Sequence, residues 1–174
     1  MKTILLLRHG KSAWNNPGQG DHDRPLNRRG EQAAKAIADH LVQDRPRPDL
    51  ILCSTATRAR QTLAPLVKRL GAPAPPLALE AGLYLASEDR LLERLKDLAD
   101  DVATVLLVGH NDGIWQLAEA LAGRGQAATL AALREKYPTG TLAVLRVPAD
   151  AWRDLAAGSG ELLALVRPRD LTRR

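Results

Sequence analysis

The 174-residue sequence contains one cysteine, one methionine and no phenylalanine, and its aromatic content is only 3%. A single cysteine, Cys53, permits no disulfide within the chain, which is typical of proteins from a reducing compartment. We expect Cys53 to be an inert core thiol rather than a nucleophile, because it follows a short apolar run. So few aromatic side chains offer few platforms for base stacking, and we expect no nucleic-acid partner.

Long hydrophobic runs are also missing. No apolar stretch approaches the roughly 20 residues that a membrane-spanning helix requires, so we expect no membrane partner. The chain enters its first apolar run without a signal-peptide pattern, which predicts a cytoplasmic location. Hydrophobic residues make up 45% of the chain and charged residues 26%, and together with the length these values predict one globular domain over residues 1–174.

The charge is unbalanced towards the basic side, with a formal net charge of +5 at pH 7. The lysines and arginines are dispersed along the sequence instead of forming one stripe, which argues further against nucleic acid. A positive field that attracts phosphorylated substrates accounts for the same balance.

Two short apolar runs each lead to a histidine. Residues 3–7 end in Arg8 and His9, and residues 105–108 are followed by glycine and then His110. Runs of this kind predict buried strands of a parallel sheet, and ligands gather at the carboxyl ends of such strands. We therefore expect the two imidazoles to meet in one pocket.

Segments with strand and helix periodicity alternate along the chain. Strands are predicted over residues 3–7, 49–54, 77–79, 105–108, 141–147 and 161–166, and helices over 33–42, 58–70, 88–100, 113–121 and 127–136. Residues 167–174 form a polar, basic tail. The alternation predicts an α/β fold, a three-layer α/β/α sandwich whose sheet is mostly parallel, with the last two strands forming an antiparallel edge.

Three motifs carry a family resemblance. They are R-H-G at residues 8–10, D-R-P-L-N-R-R-G at residues 23–30 and S-T-A-T-R-A-R-Q-T at residues 54–62. Together they resemble the signatures of the histidine phosphatase superfamily, which has the phosphoglycerate mutase-like fold. The second motif is similar to that of the small bacterial branch of SixA-type phosphohistidine phosphatases.

The resemblance implies a covalent mechanism in which His9 is the nucleophile and becomes phosphorylated. Arg8, Arg58 and His110 then form the phosphate pocket, and neither a metal nor another cofactor is required. The residue types suit this chemistry, because arginine presents a fork of donors to phosphate oxygens and a neutral imidazole can attack phosphorus. Asn15 matches a position that contacts phosphate in larger members, although a role as a loop or capping residue is an equal alternative.

The identity of a general acid stays open at the level of sequence. Glu80 is the best match, because superfamily members that cleave phosphate monoesters supply a carboxylate from this region; Asp21 and Asp23 are rivals, and Glu80 is alternatively a plain surface residue. Expelling an alkoxide requires such an acid. An imidazole leaving group, with a pKa near roughly 6.5 for its protonated form, needs less help, so an ambiguous acid favours a phosphohistidine substrate.

The preferred function is therefore a metal-independent phosphatase that hydrolyses phosphohistidine on proteins. One alternative is a small-molecule phosphomonoesterase of the same superfamily, and another is a non-catalytic module that binds phosphoproteins. A mutase is disfavoured, because residues 71–101 leave little room for the insertions that close its pocket. The expected partner is a phosphorylated protein or a small phosphorylated metabolite, and the expected assembly is a monomer or weak dimer.

Overall fold

The strands of the computed structural model, which describes residues 1–172, form one mixed sheet with the spatial order β3-β2-β4-β1-β6-β7-β5. The strands are β1 Lys2–Arg8, β2 Leu50–Ser54, β3 Leu77–Glu80, β4 Thr104–Gly109, β5 Ala122–Gly125, β6 Leu142–Val147 and β7 Gly160–Val166. β6 is antiparallel to both of its neighbours, β1 and β7, and every other pair is parallel. The predicted α/β fold with a mostly parallel sheet is confirmed.

One detail of the sheet differs from the sequence prediction. The antiparallel pair β6 and β7 exists, but β6 lies inside the sheet, and β5 is the edge strand beyond β7. β5 was not predicted because its sequence, Ala-Gly-Arg-Gly, has neither the β-branched residues nor the apolar alternation that indicate a strand. It is recruited by backbone pairing with β7.

Helices cover both faces of the sheet and complete the three layers. They are α1 Arg28–Asp44, α2 Thr57–Leu70, α3 Glu88–Lys96, α4 Gly113–Leu121, α5 Ala127–Glu135 and α6 Pro168–Leu171. Short 3-10 helices span Asp21–Asp23, Ala81–Leu83 and Trp152–Asp154. The predicted polar tail, residues 167–174, contains α6, and its last two residues lie outside the described part of the chain. None of the helices in residues 1–172 combines the length and apolarity needed to cross a membrane.

The apolar run of β1 explains why this strand is central. Ile4 and Leu6 face the cluster that α3, α4 and α5 cover, whereas Leu5 and Leu7 face the cluster under α1 and α2. Successive side chains of a strand point to opposite faces, so an unbroken apolar run requires both faces to be buried. Each leucine removed from water contributes roughly 1.5–3 kcal/mol, which anchors β1 between the two helical layers.

The amino-terminal end of α1 packs directly against the loop that follows β1. Asn27 caps the helix by accepting a hydrogen bond from the Gly30 amide, at 2.9 Å. A Cβ atom on Gly30 would lie only 2.1 Å from the carbonyl oxygen of Lys11, and one on Gly10 would lie 2.9 Å from that of Gly30. Two glycines are therefore needed for the helix to approach this loop.

We expect Gly30→Ala to destabilise the protein by about 2 kcal/mol or more, because the new methyl group must push α1 away from the loop after β1. Urea unfolding measures the change. Gly20→Ala is the matched control, since no heavy atom lies within 4 Å of a Cβ there, and its effect should stay within about 0.5 kcal/mol. Equal stability of the two variants would contradict the packing described here.

Candidate active site

His9 and His110 lie side by side at the carboxyl ends of β1 and β4. The two strands are parallel neighbours whose register pairs Arg8 with Gly109, and the His9 amide donates a hydrogen bond to the Gly109 carbonyl at 3.1 Å. As a result the two imidazole ring centroids are 5.1 Å apart. The structure thus brings together the two histidines that the sequence placed after separate strands.

The contacts of His9 define which ring nitrogen faces the pocket. Nδ1 lies 2.6 Å from the Gly10 carbonyl oxygen, which can only accept, so Nδ1 carries the proton. Nε2 then holds a lone pair, to which the Arg58 Nε–H donates at 3.3 Å. Burial, together with the charges of Arg58 and Arg8, lowers the pKa of His9 to about 4. His9 is accordingly a neutral imidazole at pH 7, with Nε2 unprotonated and hydrogen-bonded to Arg58.

His110 is neutral for the same reasons. Burial lowers its pKa to about 3, with further contributions from His9 and Arg58. Its Nε2 lies 2.8 Å from the Ser54 hydroxyl oxygen, which also accepts the Ala56 amide proton at 3.2 Å. Because the hydroxyl proton is then available for Nε2, this arrangement favours the tautomer with the ring proton on Nδ1. The Nδ1 atom is buried and has no hydrogen-bond partner within residues 1–172.

Arg58 is held in place by Asp21. Its Nη1 donates to the Asp21 backbone carbonyl at 2.7 Å and its Nη2 to the carboxylate at 3.0 Å. The Tyr84 hydroxyl and Arg24 donate to the same carboxylate. These contacts, the Tyr84 hydrogen bond first among them, hold the pKa of Asp21 well below its usual range. Asp21 is therefore ionised at neutral pH and has no proton to give.

Arg8 is oriented by the segment that follows α5. Its Nη1 donates to the Tyr137 carbonyl at 2.8 Å, and the Asn111 amide donates to the same oxygen at 3.1 Å. The Tyr137 hydroxyl in turn donates to the Leu6 carbonyl at 2.6 Å inside the core. Nothing in the sequence pattern around Tyr137 indicated this role, because the contact joins segments 129 residues apart.

Two residues of the third sequence motif position the loops around the pocket. Thr62 Oγ1 accepts the Gly10 amide at 2.9 Å while donating to the Arg58 carbonyl at 2.7 Å. Gln61 Oε1 accepts the Leu26 amide at 2.8 Å. Sequence reasoning assigned neither residue a role, although the spacing of four between Arg58 and Thr62 places them on one helix face.

These side chains surround an open cavity of about 490 Å³. Its lining consists of Arg8, His9, Lys11, Ser12, Trp14, Arg24, Arg58, Leu85, His110, Asn111 and Thr139. That lining includes no carboxylate, and residues 1–172 contain no cluster of three His, Cys, Asp or Glu side chains placed to hold a metal ion. On the rim, Trp14 is 78% exposed and stacks on the Arg24 guanidinium at 3.4 Å.

Other predicted residues lie outside this cavity. Glu80 ends the edge strand β3, which β2 and β4 separate from β1, and its carboxylate binds Arg94 through Nε at 2.8 Å and Nη2 at 2.9 Å. Asn15 is exposed and Asp23 contacts a neighbouring histidine, and neither lines the cavity. Cys53 is fully buried in β2, where burial raises the pKa of its thiol to about 12.

We expect both active-site imidazoles to stay neutral as the pH falls from 8 to about 5, because pKa values of about 4 for His9 and about 3 for His110 lie below this interval. NMR titration of the imidazole Cε1–H signals measures this, with assignments from His9→Asn and His110→Asn. A titration midpoint near the unperturbed value of roughly 6.5 for either residue would contradict the neutral site.

The family model of the histidine phosphatase superfamily (branch 1) matches residues 4–84, which include Arg8, His9 and Arg58. An uncharacterized protein of Mycobacterium tuberculosis is 41% identical over 165 residues, covering 94% of this chain and 100% of the relative.

Two solved structures resemble the whole chain. A proposed SixA phosphohistidine phosphatase from Nakamurella multipartitia superposes with a TM-score of 0.82 and 31% identity, covering 96% of both chains. A second one, from Agrobacterium tumefaciens, has a TM-score of 0.80 and 34% identity, covering 96% of this chain and 98% of that chain. The match of sequence and of fold along the length of the chain leads to one conclusion: this protein belongs to the histidine phosphatase superfamily.

Proposed function

We propose that the protein is a phosphohistidine phosphatase that acts on phosphorylated proteins through a phosphorylated His9. The observation that carries this proposal is a pocket that combines a neutral imidazole nucleophile with two arginines, and whose lining has no carboxylate to protonate a leaving group. The SixA-type names of the two structural relatives support the same substrate class.

In the first step His9 Nε2 attacks the phosphorus of the substrate. The new P–Nε2 bond forms as the P–N bond of the substrate breaks, and the electron pair of the broken bond goes to the departing ring. That ring carries a proton from solvent on its other nitrogen, so it leaves as neutral imidazole. The Nδ1–H bond to Gly10, at 2.6 Å, stabilises the positive charge that develops on His9.

In the second step water attacks the phosphorus of phospho-His9. The P–Nε2 bond breaks, its electron pair returns to His9, and the proton of the water passes to the released inorganic phosphate or to solvent. Arg8 and Arg58 offset the charge on the phosphoryl oxygens in both steps, and His110 Nδ1–H donates a hydrogen bond to them. Since these groups supply both nucleophile and charge compensation, the proposal includes independence from metal ions.

The state of the nearby carboxylates supports a nitrogen leaving group. Asp21 is ionised because Tyr84 and two arginines stabilise its charge, and Glu80 is engaged by Arg94 outside the cavity. A phosphate monoester would need a proton from such a group as its alkoxide leaves. A protonated phosphohistidine ring brings its own proton.

A small-molecule phosphomonoesterase is the second candidate, supported by the cavity volume of about 490 Å³, which lies in the range of small-ligand sites. The rim favours a protein substrate instead. Trp14 and Leu85 are 78% and 56% exposed at the mouth of the cavity, where they can contact the surface around a phosphorylated side chain.

We expect the purified chain, in the presence of EDTA, to dephosphorylate a phosphohistidine-bearing protein at least roughly 100-fold faster than a panel of phosphate monoesters, a difference in barrier of about 2.7 kcal/mol. His9→Ala should abolish both turnover and phosphoenzyme formation. Glu80→Gln should retain the phosphohistidine activity. Faster turnover of monoesters, with loss of activity in Asp21→Asn or Glu80→Gln, would favour the second candidate, and binding without any turnover would favour a binding module.

We expect Arg58→Ala to weaken binding of vanadate, a phosphate analogue, by roughly 100-fold, equivalent to about 2.8 kcal/mol, because the guanidinium faces His9 Nε2. Isothermal titration calorimetry measures the affinity. Arg60→Ala is the matched control, since Arg60 lies on the same helix but is exposed, and its guanidinium donates hydrogen bonds to the Thr55 carbonyl and to Thr57. Unchanged affinity in Arg58→Ala, with the fold intact by circular dichroism, would remove Arg58 from the phosphate pocket.

A further inference from the structure

A second cavity, of about 400 Å³, lies beside the catalytic one and is strongly basic. We call it the basic groove and define it by its five cationic lining residues, Lys11, Arg29, Lys136, Arg167 and Arg169. Uncharged residues complete the lining, among them Gln32, Pro138 and Pro168. Arg167 and Arg169 belong to the basic tail, and the other three cations come from separate segments of the chain.

The basic groove adjoins the catalytic cavity. Lys11 and Thr139 line both cavities. The segment that contains Thr139 is held next to His9, because the Gly140 amide donates a hydrogen bond to the His9 carbonyl at 2.8 Å. β7 runs in the same direction as β1, and Arg167 follows its carboxyl end. The groove therefore lies at the same end of the strands as His9. A ligand with its phosphoryl group at His9 can therefore extend into the groove.

The charges of the basic groove are not neutralised by the protein. Within residues 1–172, none of its five cationic side chains lies within 4.0 Å of a carboxylate oxygen. Asp170, the acidic residue of α6, uses its carboxylate to accept the Arg167 backbone amide instead. Other cations of the described residues, such as Lys96 and Arg153, also lack an acidic partner, but in the groove five of them share one lining. An uncompensated cluster of this kind attracts an anionic ligand.

We propose that the basic groove binds an acidic polypeptide segment that flanks the phosphohistidine of the partner protein. The proposal rests on the proposed function, and it names the partner surface that the catalytic cavity alone does not define. Three of the five cations are arginines, whose planar forks match carboxylates. Contacts distributed over Arg29, Lys136 and Arg169 suit several carboxylates along a chain better than one compact anion.

The test compares two synthetic phosphohistidine peptides, one with glutamates and the other with glutamines on both sides of the phosphorylated residue. We expect the acidic peptide to have at least a tenfold higher kcat/KM, through a lower KM, and the advantage to shrink as salt is raised. The variant Arg29→Glu/Arg169→Glu should lose this preference. Lys11 is left unchanged because it also lines the catalytic cavity.

The matched control is Lys96→Glu/Arg153→Glu, which makes the same change in net charge at exposed positions. Lys96 ends α3, which precedes β4 in the chain. Arg153 follows Trp152, whose indole N–H donates a hydrogen bond to the carbonyl of Val102, just before β4. Both residues therefore lie towards the amino-terminal end of β4, away from the end that carries His110. This control should keep the preference for the acidic peptide. If both double variants lose the preference for the acidic peptide equally, the preference depends on net charge alone, and the proposal is overturned.

Binding of the unphosphorylated acidic peptide, measured by fluorescence anisotropy, separates this proposal from the proposed function. One outcome is that no phosphohistidine is hydrolysed, while the acidic peptide binds to the protein but not to the groove variant. That outcome would support the groove proposal and contradict the proposed function. If both phosphohistidine peptides are hydrolysed equally and the acidic peptide does not bind, the function stands and the groove proposal fails. Tighter binding of RNA than of the acidic peptide at the groove would also overturn it.

Discussion

The parallel pairing of β1 with β4 is the constraint on which the site depends. These strands are distant in sequence, yet their register brings the residues after them to one edge, and the His9 and His110 rings lie 5.1 Å apart. Burial of both faces of β1 keeps that pairing rigid. The Gly10–Gly30 approach and the Gly10–Thr62 hydrogen bond then set the direction in which the chain leaves the strand.

The electrostatics of the site follow from the same packing. Burial lowers the pKa of both histidines, and nearby arginines add to the effect, so the imidazoles are neutral in a pocket of positive charge. Asp21 compensates part of that charge while remaining ionised. A phosphoryl group entering the pocket would therefore meet cationic donors and an unprotonated Nε2 together. The same arrangement of histidines and arginines thus provides both the nucleophile and the anion-binding groups.

The described residues also separate two of the three candidate acids by their positions. Asp21 reaches the site but is ionised by its partners, whereas Glu80 is placed on the edge strand β3 and paired with Arg94. The family resemblance implied a carboxylate from this region, and Glu80 was the best match because it follows a short strand. Strand order, which depends on pairings between distant segments, decided that β2 and β4 would lie between Glu80 and His9.

The sequence by itself determined the α/β alternation, the strands ending at Arg8 and at the glycine before His110, and the motif that places Arg58 in the first turn of α2. These features are local, because burial periodicity and turn residues act within a few positions. Only the tertiary structure decided that β5 pairs at the edge, that Tyr137 orients Arg8, that Asp21 holds Arg58, and that five dispersed cations line the basic groove. Each of these depends on contacts between segments far apart in the chain, which no local pattern encodes.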